Sequence, residues 1–96
     1  MLAVSDIFTA LADSTRRVLL DELADRDGQT LFELCGRLVT KHGISSSRQA
    51  ITQHLDVLEA AGLVRTSRVG RYKFHYRDFT PLRELTARWP IPQEDT

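Results

Sequence analysis

Cysteine, proline and glycine are all scarce: the 96 residues hold one Cys, three Pro and five Gly. A single thiol cannot close an internal disulfide, so a disulfide scaffold is excluded. No apolar run approaches the roughly 18 residues that cross a bilayer. Residues 1–10 already contain Asp6 and lack a basic start followed by an apolar stretch, so no leader is expected; the expected place is the cytoplasm, with no membrane partner. Catalytic motifs are missing too. There is no Gly-rich phosphate loop, no Gly-x-Ser-x-Gly, no His-Glu-x-x-His and no two-Cys motif. Ser45, Ser46 and Ser47 would need a base and an orienting acid, and a chain this short offers no deep cleft to hold them. No catalytic residue and no cofactor are expected, and the chain is expected not to be an enzyme.

What is present is the composition of an ordinary globular domain, 42% hydrophobic and 27% charged. The length suits one domain over residues 1–96, with a short flexible tail at 90–96. A domain of this size buries only about two thirds of the surface its unfolded chain exposes, which leaves apolar surface for a partner such as a second copy. The 13 basic and 13 acidic groups cancel in sum but not in distribution. Residues 1–44 and 84–96 are each net acidic, whereas residues 45–83 hold seven basic groups against Asp56, Glu59 and Asp78. Arg65, Arg68, Arg71, Lys73 and Arg77 follow one another with no acidic residue between them. Such a run is either a solvated hairpin face or a footprint for phosphates.

Turn signals at short intervals mark out the elements, with no repeat or linker between them. Val4, Ile7, Phe8 and Leu11 at i, i+3, i+4, i+7 predict a first short helix, after which Asp13 can cap a second carrying Val18, Leu19, Leu20 and Leu23. That helix is expected to stop before Asp27-Gly28. Thr30 and Glu33 spell a capping box, and Leu31, Leu34, Cys35 and Leu38 continue a third helix to His42-Gly43. Ser45 to Ser47 offer caps for a fourth helix over about residues 46–61, with Ser46 and Gln49 as a second capping box. Its inward stripe is Ile51, Leu55 and Leu58, and Gly62 ends it. The period then becomes strand-like on both sides of Gly70, with Tyr72, Phe74 and Tyr76 alternating, which predicts a hairpin. Thr80-Pro81 restarts a helix with Leu82, Leu85 and Trp89 on its apolar face, until Pro90.

This order, ααααββα with a basic hairpin directly after a polar-faced fourth helix, is that of a winged helix-turn-helix, a mainly α fold with a small β-hairpin. On the fourth helix Gln49, Thr52, Gln53 and Asp56 fall opposite the inward stripe. Gln can pair bidentately with adenine, Thr can touch a thymine methyl, and Ser at the helix start can bond phosphate. Arg68 and Arg71 straddle the hairpin tip, over residues 65–77, where guanidinium groups can lie along phosphates or in a minor groove. Double-stranded DNA is the partner these residue types suit; the bland alternative is a solvated polar face.

The segments Ala10-Leu11-Ala12-Asp13-Ser14-Thr15-Arg16-Arg17, Gln49 to Val64 and Arg68-Val69-Gly70-Arg71-Tyr72 together resemble the ArsR/SmtB family of bacterial winged-helix repressors, over roughly residues 5–89. The resemblance implies a homodimer held by the first and last helices, binding an imperfect palindrome and repressing transcription. By position it makes Ser47, Gln49, Thr52, Gln53 and His54 recognition-helix contacts and Arg68 and Arg71 wing contacts; Ser46 and Arg48 at the helix start complete the expected DNA-binding set. Ser14 stands where the family usually has Pro, and Ser remains compatible with a helix start.

Many members of that family sense metals, through two Cys separated by one residue on the third helix. Here the stretch reads Glu33-Leu34-Cys35-Gly36-Arg37, with a cation in place of the second thiolate. The last helix has Glu84 and no His, so no metal site is expected. Cys35, on the inward stripe, reads as a small core residue rather than a redox switch. Release from DNA could then depend on a small-molecule effector between subunits, on a protein, or on concentration alone; a protein-interaction module of the same fold is the rival reading. His54 sits between the two faces of its helix, either packing or facing DNA. His42 is expected at a helix end near the carbonyl dipole, and His75 is expected in solvent opposite Phe74. Ile7, Phe8 and Leu11 with Leu82, Leu85 and Trp89 are the expected dimer seam, the alternative being that Phe8 and Trp89 close the monomer core.

Overall fold

Helix caps set the boundaries of the fold in the computed structural model, which describes residues 4–92. The Val4 side chain, expected on the first apolar stripe, and the part of the expected tail beyond residue 92 lie outside the described residues. The elements are α1 (Val4–Leu11), α2 (Ser14–Asp25), α3 (Leu31–His42), α4 (Arg48–Ala60), β1 (Val64–Val69), β2 (Tyr72–Arg77), a 3-10 turn (Thr80–Leu82) and α5 (Arg83–Arg88). This is a winged helix-turn-helix, as the element order predicts.

Asp13 caps α2 by accepting from the Arg16 amide at 3.0 Å. Thr30 and Glu33 form the predicted capping box of α3, each side chain accepting from the other residue's amide at 3.2 and 3.0 Å. At α4 the predicted Ser46–Gln49 box does not form. The cap is Ser47, whose hydroxyl accepts from the Ala50 amide at 3.1 Å. With Ser47 as cap the third helical residue is Ala50, which has no side-chain acceptor to return the bond. Gly62 then ends α4 at φ 76°. Its amide donates to Glu59 O and the Leu63 amide reaches back to Leu58 O, the paired bonds of a Schellman motif that only a left-handed residue permits.

The core is a three-helix packing. Leu19, Leu20 and Leu23 of α2 meet Leu34 and Leu38 of α3 and Ile51, Leu55 and Leu58 of α4, with Leu63 and Val64 continuing the seam into β1. Ile7 of α1 is also fully buried, at 0% exposure within one protomer, so it closes this protomer's core and is not on a surface seam as the sequence reading has it. The reason is helical geometry: Ile7 shares the inner face of α1 with Ala10, which is buried too, while Phe8 points outward.

A charged strap fastens α3 to α2. Glu22, only 3% exposed, receives Arg37 at 2.9 Å, Lys41 at 3.0 Å and the His42 ring at 2.9 Å. Burial by itself would raise the carboxyl pKa, but the three hydrogen bonds outweigh it and hold it down to about 2. The expectation for His42 is corrected accordingly: it does sit at the carbonyl end of α3, but its partner is a carboxylate from α2.

The hairpin turns in two residues, Gly70 and Arg71, since Val69 pairs with Tyr72. Gly70 supplies the positive φ, 61°, that a tight hairpin turn opening on glycine requires. The other edge of β2 is paired as well, through an isolated antiparallel bridge to Gln29 in the α2–α3 loop. That bridge overturns the expectation of a solvated His75: the ring is 5% exposed, because the Gln29 backbone covers it and β2 lays this residue against the helices. The last helix is also shorter than predicted. Pro81 opens a 3-10 turn, α5 has six residues, and Trp89 stands just beyond its end.

Candidate nucleic-acid interface

With Ile51, Leu55 and Leu58 turned into the core, the opposite ridge of α4 is left in solvent. Gln49, Thr52, Gln53 and Asp56 are all exposed, as are Ser46, Ser47 and Arg48 at its start. The Ser47 hydroxyl is already committed to the helix cap. Arg48 lies with its guanidinium carbon 5.7 Å from the centroid of the exposed Phe32 ring at the start of α3, a cation–π contact that steadies the side chain at the helix entrance.

The wing sorts its five cations by position. At the base, Arg65 is 3.4 Å from Asp78 and Arg77 is 3.7 Å from Asp27. Toward the tip stand Arg68, Arg71 and Lys73, for which no carboxylate partner lies within ion-pair distance among the described residues. Arg68 and Lys73 are moreover directly opposite each other across the two strands. Like charges at such a cross-strand pair cost the hairpin stability, so the arrangement is one that a polyanion relieves.

Between α4 and the wing runs a groove of about 460 Å³, whose walls include Phe32, Arg48 and Thr52 on one side and Arg71, Tyr72 and Lys73 on the other. Asp56 and Glu59 also line it, and Glu59 accepts from the Thr66 hydroxyl at 3.1 Å. The structure thus brings Arg48, Thr52 and Arg71 of the sequence-derived set to one groove and keeps Gln49 and Gln53 exposed on α4, with Arg68 on the adjacent wing. His54 is placed elsewhere. Its half-buried ring turns toward the α1–α2 junction, with Nδ1 3.1 Å from Arg16 Nη1 and 3.8 Å from Asp13 Oδ2. Phe32 is absent from the sequence-derived set, and Lys73 stands there only within the basic run and not among the named wing contacts. The signal for Lys73 was legible in principle, since a two-residue turn at Gly70-Arg71 sets residue 68 opposite residue 73.

Of the expected seam, Phe8 and Trp89 are 43% and 55% exposed, and their rings meet at 6.0 Å across the α1–α5 boundary. Leu11, Leu82 and Leu85 are half-buried, Leu11 and Leu82 packed against this protomer's own core. Cys35 is half-buried against the core, and desolvation pushes its thiol pKa up, so the thiolate is disfavoured.

A helix seated by its apolar stripe with a bare polar ridge, next to a hairpin whose charged tip residues are all cations, defines the class of winged-helix DNA-binding proteins. Comparison with known proteins agrees. The helix-turn-helix domain family matches residues 11–67. The HTH-type transcriptional regulator YuzN of Bacillus subtilis is 52% identical over 83 residues, covering 86% of this chain and 90% of that protein. Among solved structures, an ArsR-like transcriptional regulator from a Rhodococcus species superposes with a TM-score of 0.76 at 34% identity, over 90% of this chain and 72% of that one. HlyU from Vibrio cholerae gives a TM-score of 0.68 at 28% identity, over 91% and 90%. The chain belongs to the ArsR family of winged helix-turn-helix transcriptional regulators. It is therefore a regulator and not an enzyme. Among the described residues no helix is long and apolar enough to cross a membrane.

Proposed function

We propose that this protein is a homodimeric repressor that binds an imperfect palindrome in double-stranded DNA. In this reading α4 enters the major groove, where Gln49, Thr52 and Gln53 meet base edges. The wing lies on the neighbouring backbone or minor groove through Arg68, Arg71 and Lys73. The groove between them is the path of a phosphodiester strand, entered at Arg48. The observation that carries the reading is the Arg68–Lys73 pair, two cations facing each other at the wing tip beside Arg71, with no carboxylate at ion-pair distance among the described residues. A folding requirement does not explain that arrangement, because it costs the hairpin stability; a phosphate backbone does.

The exposed Phe8–Trp89 contact supports dimerisation through α1 and α5, to which Leu11, Leu82 and Leu85 would add the surface they leave exposed. A two-fold dimer would present two copies of α4 about 34 to 36 Å apart, one turn of DNA. With zero net charge on each chain, sequence-independent affinity is modest, so engagement of both half-sites supplies the selectivity. Fluorescence anisotropy against the DNA just upstream of its own gene, beside a shuffled duplex at about 0.15 M salt, tests this. A preference of about 10³ or more with two protomers per duplex is the expected result. Equal, weak binding to both duplexes would overturn it and direct attention to an acidic protein partner for the wing.

A further inference from the structure

One side chain outside the interface links the recognition helix to α1. The Arg16 guanidinium donates through Nε to Ala10 O at 2.8 Å and through Nη2 to Thr9 O at 2.9 Å. Arg17 donates to Leu11 O at 2.6 Å. These carbonyls are the last of α1; Thr9 O also accepts from the Ala12 amide at 3.2 Å, and the two arginines complete the closure of its C-terminal end. The remaining donor of Arg16, Nη1, lies 3.1 Å from His54 Nδ1 on α4. A guanidinium has donors only and keeps its proton. His54 Nδ1 must therefore be the acceptor, and the ring carries its hydrogen on Nε2.

The same nitrogen lies 3.8 Å from Asp13 Oδ2, the carboxylate that caps α2. His54 is thereby held between the arginine that closes α1 and the carboxylate that caps α2.

We propose that Arg16 is a positioning residue for DNA recognition: by donating to both the end of α1 and His54 it fixes α4 against α1. The proposal rests on the reading of α4 as the recognition helix. It follows that the placement of α4 depends on this side-chain bond as well as on its apolar stripe.

The test compares wild type with His54→Asn, whose amide oxygen can accept from Arg16, and with His54→Leu, which cannot. Affinity is measured for the upstream duplex and for the shuffled duplex, with circular dichroism as the check that each protein is folded. His54→Leu is expected to lose about 5- to 10-fold on the upstream duplex and little on the shuffled one, and His54→Asn to recover most of that loss. Equal affinities in all three proteins, or equal losses in both variants, would overturn the proposal, the latter making the imidazole itself a direct DNA contact. Long-range proton–nitrogen NMR correlation of the His54 ring at neutral pH gives a readout without DNA: hydrogen on Nε2 is expected, and hydrogen on Nδ1 refutes the link. If wild type shows no sequence preference, the DNA reading fails, and the ring tautomer alone decides whether the Arg16–His54 bond exists.

Discussion

Gln29 and His75 exchange both backbone hydrogen bonds, at 3.1 and 2.8 Å, and His75 Nδ1 donates a third to the Gln29 carbonyl at 2.9 Å. The base of the wing is thereby tied to the loop that enters α3, and β2 is paired along one edge by β1 and at this point by Gln29. The cations at the tip are carried on a hairpin whose base does not swing independently of the helices. In the proposed reading, wing and recognition helix then meet DNA as one surface, without the ordering cost of a loose arm.

Acidification should weaken this anchor. Burial pushes the His75 pKa below its usual value, although the bond to Gln29 acts the other way. A folded-state value below the unfolded one means that the unfolded chain takes up the proton first as pH falls. The contribution is therefore complete above about pH 6.5 and declines below it. Urea unfolding at about pH 7.5 and 5.5 should show wild type losing more stability than His75→Gln. A wild type that gains stability over the same range, relative to that variant, would refute the argument.

Glu22 has the same sign at lower pH. Its carboxyl, held at about 2 in the fold, ordinarily titrates near 4.5, so the strap to Arg37, Lys41 and His42 is complete above about 4.5 and lost as the pH drops toward 2. Glu22→Gln should cost about 2 kcal/mol at neutral pH, less than a fully buried pair because Arg37, Lys41 and His42 remain partly solvated. The variant should also lack much of the wild-type decline in stability below pH 4.5. Circular dichroism during acid titration reads both effects.

Lys73→Thr should separate stability from binding. Removing one of the two facing cations relieves the repulsion with Arg68 and is expected to stabilise the free protein by up to about 0.5 kcal/mol. The same change should weaken binding to every duplex, since it removes a phosphate contact. A variant that is less stable yet binds DNA unchanged would refute the role given to this pair.

Helix and wing should fail differently. Arg71→Ala is expected to reduce affinity for upstream and shuffled duplexes alike and to lower the salt slope by about 1. Gln53→Ala should cost about 1 to 3 kcal/mol on the upstream duplex only. Equal losses on both duplexes for both variants would remove the division of labour between α4 and the wing.

Trp89→Ala takes away one ring of the Phe8–Trp89 contact and should shift the monomer–dimer equilibrium toward monomer without unfolding the chain, because Trp89 stands outside the buried core. Sedimentation at low micromolar concentration is the measurement. An unchanged mass for both proteins would place the dimer seam elsewhere.

Most of the scaffold could be read from the chain. The caps at Asp13 and Thr30, the stripes of α2, α3 and α4 and the turns at Gly62 and Gly70 all depend on residues within a few positions of one another. So does the bare ridge of Gln49, Thr52 and Gln53, since a helix that buries Ile51, Leu55 and Leu58 has one opposite face. The choice of Ser47 over Ser46 as cap was less legible, because three adjacent serines offer the same chemistry and tertiary seating selects one.

Local periodicity and capping by themselves determined the element order, the polar face of α4 and a basic hairpin behind it. Only the tertiary structure decided that His75 is buried beside Gln29, that His42 joins Glu22, that Ile7 belongs to the protomer core and that His54 turns to Arg16. The partners in the three histidine contacts are 46, 20 and 38 residues apart. A side chain's pattern fixes which face of its own helix or strand it occupies, through the 3.6 or 2.0 period. What that face meets depends on the docking of other elements, and the free energy of docking is spread over the whole core rather than recorded at either residue.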